Sequence, residues 1–105
     1  MSNYLTDQKP RQLADGLTGH YIHGNSMTMG IVKIKAGSQL ARHQHPHEQI
    51  TYILEGELDM VIGETAYNLR AGMSLVIPSN VFHNAVAHTD CQVLDVFAPV
   101  REDYV

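Results

Sequence analysis

Seven positions, His43 to Gln49, read HQHPHEQ and hold three imidazoles, a glutamate and two glutamines around one proline. Imidazole is the commonest side-chain ligand for transition metals, and neighbouring histidines that share a direction make half of a metal site. In an extended chain residues two apart share a face, so His43 and His45 point the same way, and Gln49 joins them if the alternation survives Pro46. A third imidazole must come from elsewhere. The best candidate is His83, which follows the turn-forming Pro78-Ser79-Asn80 at the start of a further β-type run. His47 has the same parity, but Pro46 interrupts the strand beside it, which favours a place at the rim or behind the ligands.

Strands are the elements that must carry these groups. TMGIVKIKAG, QITYILEGELDMVIGE, SLVIPSN and CQVLDVFAP are rich in β-branched and aromatic residues, and none sustains a 3.6-residue period. Gly56 and Gly63 fall between apolar runs, where hairpin turns are expected. The N-terminal TDQKPRQLADG fits either a turn of helix or an edge segment. At 105 residues the chain makes one all-β domain. A net charge of -4 with scattered Lys and Arg provides no basic stripe for nucleic acid and no polybasic segment for a membrane surface. No apolar run approaches the roughly 20 residues of a membrane-spanning helix. The polar opening lacks a secretory h-region, and the single Cys91, read as inert, forms no internal disulfide framework. These features fit a cytoplasmic protein. His20, His23 and His88 read as surface or edge residues, and Met27, Met29, Met60 and Met73 as core or interface filling.

The spacing is informative as a whole. Five residues separate Gly37 from His43, one separates His43 from His45, three lead to Gln49 and six more to Gly56; later, five separate Gly72 from Pro78 and four separate Pro78 from His83. This pair of patterns, over 37–56 and 72–87, resembles the two motifs of the cupin superfamily. Asn80 departs from that pattern where a Gly is usual, and Ala87 where an Asn is usual. Asn tolerates a left-handed backbone better than other non-glycine residues, and Ala87 touches no ligand. The resemblance implies a single domain over 1–105, a double-stranded β-helix or jelly-roll barrel, in which His43, His45, His83 and Gln49 hold one divalent transition metal ion. Nickel, manganese, zinc and iron all suit such a donor set.

Gln49 stands where cupins usually carry Glu. Three neutral imidazoles and a neutral amide leave the dication uncompensated, which favours Lewis-acid polarisation of an oxygen over redox chemistry that needs a higher oxidation state. The alternative is a Gln49 turned away from the metal, with water in its place.

On the run VLDVFAPVRED, Val93, Asp95 and Phe97 share one strand face, and Arg101 follows within reach of a pocket mouth. A carboxylate on an apolar strand is unfavourable unless a partner or a reaction requires it. With the Gln-containing set, this tail resembles small cupins of the pectin-degradation KdgF type, which convert ring-form 4,5-unsaturated uronates into linear ketonised sugars. That resemblance implies Asp95 as the proton-transfer residue, Arg101 as binder of the sugar carboxylate, Phe97 as a shaper of the pocket and a carbohydrate acid as substrate. The competing readings are a salt bridge between Asp95 and Arg101 or another cation, and a solvated Arg101. For the whole protein they are a metal-dependent dioxygenase and a non-catalytic small-molecule sensor. A homodimer is expected, in which the sheet edges and an apolar outer face are covered, with the N-terminal segment and the Met-containing strand as the cover.

Overall fold

The computed structural model describes residues 2–105. Among the described residues ten strands form two antiparallel sheets. A six-stranded sheet runs in the order β1 (Arg11–Ala14), β2 (Leu17–His23), β3 (Thr28–Ile34), β10 (Cys91–Ala98), β5 (Glu48–Glu55) and β8 (Ser74–Ile77). A four-stranded sheet runs in the order β4 (Gln39–His43), β9 (His83–Ala87), β6 (Glu57–Ile62) and β7 (Thr65–Arg70). The all-β jelly-roll expectation is met. The N-terminal segment contains both of its anticipated forms, a 3-10 turn over Leu5–Asp7 and the edge strand β1.

Gly63 does close the hairpin between β6 and β7. Gly56 corrects its expectation: β5 and β6 lie in different sheets, so it turns a sheet-to-sheet corner rather than a hairpin. Its φ of 92° is left-handed, and a Cβ there would press on the Asp90 carbonyl, Cys91 Sγ and Thr89 Oγ1.

The core lies between the sheets. Leu17, Val32, Ile34, Ile53, Leu58, Met60, Leu69, Val93 and Phe97 are buried there by the inward half of each strand's alternation. Across the inner face of the six-stranded sheet, the polarity changes level by level. Val32 and Val93 pair at an apolar level; Tyr21, Gly30, Asp95 and Thr51 pair at the next; His23, Thr28, Phe97 and Gln49 pair at the one beyond. The Tyr21 ring lies on a shelf made by two glycines, for a Cβ on Gly19 would sit 2.5 Å from the ring and one on Gly30 would collide with it outright.

The outer face of the same sheet carries a ladder of apolar side chains, one on each of its strands but β1: Ile22 opposite Met29, Met29 opposite Val96, Val96 opposite Ile50 and Ile50 opposite Val76. Four of the five, all but Val96, are exposed. Of the four methionines expected in the core or at an interface, Met60 packs in the core, while Met27, Met29 and Met73 are exposed. Among the described residues no helix is long and apolar enough to cross a membrane.

Candidate metal centre

His43 ends β4, and its position depends on an irregularity. Leu40 pairs with Ala85, yet His43 pairs with His83, so one extra residue is accommodated between them. In an uninterrupted antiparallel register Arg42 would face His83; the bulge re-aims the strand so that His43 does. The two rings lie 4.2 Å apart, centroid to centroid. His45 corrects the single-strand reading. It lies beyond the end of β4, in the loop that leads to Gln49 on β5. The same-side arrangement is therefore made by a loop rather than by strand alternation.

The turn of the second motif fastens that loop. Asn80 N–H donates to the His45 carbonyl at 2.8 Å, and the Ser79 hydroxyl donates to the Pro46 carbonyl. Asn80 adopts φ 62°, the left-handed conformation its motif position requires. His83 opens β9 and is buried, as are His45 and Gln49.

The hydrogen bonds orient all three imidazoles alike. Nδ1 of His43 donates to the Ala41 carbonyl at 2.8 Å, that of His45 to the His47 carbonyl at 2.9 Å, and that of His83 to the Val81 carbonyl at 2.9 Å. With Nδ1 protonated, each ring presents the Nε2 lone pair, which is how protein histidines are prepared for a metal. The ligand atoms of the three residues lie within 4.8 Å of one another. His83 Nε2 is buried with no hydrogen-bond partner. His45 Nε2 lies 3.0 Å from Gln49 Oε1, so two acceptors face each other. Protonating His45 is disfavoured, because burial, then the nearby Arg101 charge and His83, lower its pKa to about 4. Burial lowers that of His83 as well. Unpartnered lone pairs on neutral rings fit a bound cation.

Gln49 is held from behind. Its Nε2 donates to Thr51 Oγ1 at 2.9 Å and to Asp95 Oδ1 at 3.2 Å, and the Thr51 hydroxyl donates to the same Oδ1 at 2.8 Å. Asp95 is buried, as expected from its parity with Val93 and Phe97. Burial raises its pKa to about 6, against the opposing pull of the Thr51 and Gln49 bonds and the Arg101 charge.

Arg101 is also buried, but its ion pair is not with Asp95. Nε and Nη2 donate to the two Asp103 oxygens at 3.0 and 2.8 Å. The guanidinium carbon lies 3.9 Å from the centre of the Tyr104 ring and 4.7 Å from that of Phe97. The backbone N–H of Arg101 donates to Thr28 Oγ1 at 2.8 Å, which ties the tail to β3. Both competing readings, a pair with Asp95 and a solvated arginine, are thereby corrected.

Phe97 stands edge-on to His45 at 5.7 Å. His43, His45, Gln49, Asp95, Phe97 and Arg101 all line one cavity of about 60 Å³. His43, His45 and Arg101 also border an open depression shared with His47, Pro99 and Asp103, so they form the neck between inside and outside. His47 is at this rim, as expected. Sequence reasoning misses Thr51, Asp103, Tyr104 and Tyr21. The inward parity of Thr51 with Gln49 is a signal for the first of them; a tail that folds back on itself offers none for Asp103 and Tyr104. Away from the cavity, His88 pairs with Asp59 on the surface at 2.6 Å, and burial raises the Cys91 pKa, as befits an inert thiol.

The family described as "Cupin domain" matches residues 30–97. The chain is 28% identical to the pectin degradation protein KdgF of Dickeya dadantii over 97% of its own length and 96% of that protein's. It superimposes on the structure of KdgF from Halomonas sp. with a TM-score of 0.89, at 25% identity and with all of both chains covered. An RmlC-like cupin from Shewanella frigidimarina gives a TM-score of 0.91 at 27% identity, covering 98% of this chain and 94% of that one. The chain spans 41% of the length of protein SchB of Streptomyces halstedii and 44% of polyketide synthase CurC of Streptomyces cyaneus, which it also resembles.

Proposed function

The chain belongs to the cupin family, and from that premise we propose that it is a metal-dependent enzyme that converts 4,5-unsaturated uronates, released from pectin or alginate, into linear ketonised sugars. The observation that carries this reading is the meeting, around one cavity, of three metal-ready histidines, a buried carboxylate and a buried guanidinium. The full-length similarity to proteins named KdgF supports the substrate class.

His43, His45, His83 and the Gln49 amide oxygen are the residues that would hold the metal, and when bound it supplies Lewis acidity toward substrate oxygen. The inner cavity of about 60 Å³ has room for about two waters and not for a sugar ring. The ring therefore rests in the outer depression, with its reacting end toward the neck. Arg101 receives the sugar carboxylate. Asp103 occupies the Nε and Nη2 edge of the guanidinium, which leaves the Nη1 donors for a second carboxylate. Stacking between Phe97 and Tyr104 fixes the plane in which those donors act. Asp95 moves the proton. A carboxyl with a pKa of about 6 exists in both forms near neutral pH, as a group that must take up and return a proton requires.

The active form is a homodimer. Its contact is the ladder Ile22, Met29, Val96, Ile50 and Val76, an apolar stripe across β2, β3, β10, β5 and β8 that a second copy covers by two-fold symmetry.

The test is the loss of the conjugated double bond of a 4,5-unsaturated uronate, followed with metal-loaded protein, metal-stripped protein and no protein. Faster loss with the loaded protein alone is expected. A rate no better than spontaneous decay refutes the enzyme and leaves a binding protein.

A further inference from the structure

We propose that residue 49 is a glutamine because Asp95 stands behind it, and that Gln49, Thr51 and Asp95 form one orienting unit that turns the amide oxygen, not the nitrogen, toward the three histidines. The identity of what that oxygen faces rests on the metal reading above; the unit itself rests on hydrogen-bond geometry.

The two ends of a glutamine amide are nearly the same size, so its partners decide which end points where. Thr51 has one hydroxyl proton, and it is given to Asp95 Oδ1 at 2.8 Å. Toward Gln49 the hydroxyl therefore offers only a lone pair. Asp95 Oδ1, 3.2 Å from the amide nitrogen, offers another. Two acceptors at that end select the NH2 group. The oxygen is left at the other end, 3.0 Å from His45 Nε2, whose ring has already given its Nδ1 proton to the His47 carbonyl.

A glutamate at 49 fails on the same geometry. It has no proton for either acceptor, and it would set a carboxylate oxygen against Asp95 in a buried site. The neutral ligand is thus a consequence of the buried carboxylate behind it. The negative charge that most cupins place on the ligand stands one hydrogen bond further back here, where it polarises the amide and strengthens its oxygen as a donor. Asp95 and Thr51 are in this respect positioning residues.

A charge-exchange cycle tests the unit with cobalt(II) as the probe, read by titration calorimetry and visible absorption. Gln49→Glu and Asp95→Asn are each expected to weaken cobalt binding roughly tenfold or more, the usual effect of losing a ligand's supporting partner. The double variant exchanges the roles, with the new amide on β10 donating to the new carboxylate on β5, and is expected to recover affinity to within about threefold of the parent. Thr51→Val removes one acceptor and falls between. Melting temperatures of the metal-free proteins should follow the same order. Single losses that multiply in the double variant overturn the inference, as does a Gln49→Glu protein that binds cobalt as tightly as the parent and melts with it. A parent protein that binds no cobalt overturns the metal reading instead, and the metal-free melting series still decides whether the unit exists.

Discussion

The two faces of β5 reverse the usual arrangement of a half-buried strand. Gln49 and Thr51 point inward and are almost fully buried, while Ile50, Tyr52 and Leu54 point outward and are exposed. Antiparallel sheets ordinarily bury the apolar row and solvate the polar one. Here each row is unfavourable as it stands and each requires a complement. The inward row finds part of its complement in Asp95, with the remaining lone pairs converging beside His45. The outward row continues across the sheet as an apolar stripe. The comparison teaches that burial and polarity become informative where they disagree, and that one strand can carry two such disagreements of opposite sign.

The strongest way to break the comparison is to remove an inward ligand. His83→Ala should weaken metal binding by roughly 100-fold or more while the strands keep their own core, since a ligand and its support are lost together. Elemental analysis and calorimetry check this, and full occupancy in the variant would reduce the inward row to ordinary packing. Next in size, Asp95→Asn assayed at saturating metal should lower turnover roughly 100-fold, the usual contribution of a positioned acid or base. Turnover at the parental rate would leave Asp95 with its orienting role alone.

Arg101→Ala should raise KM for a carboxylate-bearing substrate about thirtyfold, with a smaller change in kcat, because a buried charge-assisted pair is lost. Asp103→Ala sharpens this result. A higher KM means that Asp103 positions the guanidinium, and a lower one means that it competes with the substrate. On the outward row, Ile50→Lys should raise the dimer dissociation constant about tenfold, measured by light scattering across a dilution series. A parent that is monomeric at all concentrations would show the stripe to be uncovered.

The smallest effect is a change of slope with pH in metal-free protein. Asp95 has its folded pKa raised from 3.8 to about 6, so the folded state holds the proton more tightly and this contribution to stability falls as pH rises between those values. His45 has its folded pKa lowered from 6.5 to about 4, so the unfolded state takes the proton first and stability rises with pH over nearly the same window. The two contributions oppose each other. Asp95→Asn removes the falling one, and denaturant midpoints of that variant should climb more steeply from about pH 4 to about pH 6.5 than those of the parent. Parallel curves would mean that Asp95 titrates in its ordinary range.

Much of the inward row is legible from residue types and spacing. His43, His45, Gln49 and His83 are brought together, Asp95 faces inward between Val93 and Phe97, and Asn80 takes the left-handed turn. What the sequence withholds is register and loop geometry. A bulge between Leu40 and His43 cannot be seen until β4 is paired with β9, and without it the wrong side chain faces His83. Parity alone puts His43 and His45 on one strand, because nothing local reveals that β4 stops at the first of them. Short strands such as β7 and β9, with polar alternation and small residues, carry too weak a pattern to stand out. Thr51 is an ordinary strand residue by type, and its significance comes from two partners supplied by other positions. The Arg101 and Asp103 pair lies in a tail whose backfolding depends on Thr28, which is 73 positions away in the chain.

The glycine shelf beneath Tyr21 separates the shape of the cavity from the residues that line it. Neither Gly19 nor Gly30 faces the open space, yet a single methyl group at either would lift the Tyr21 ring into it. The room behind the neck can therefore shrink through changes behind the wall, with His43, His45, His83, Gln49 and Asp95 left in place. In a lineage of such barrels, comparison of the lining residues alone would miss the substitutions by which the cavity of one member came to be smaller than that of another.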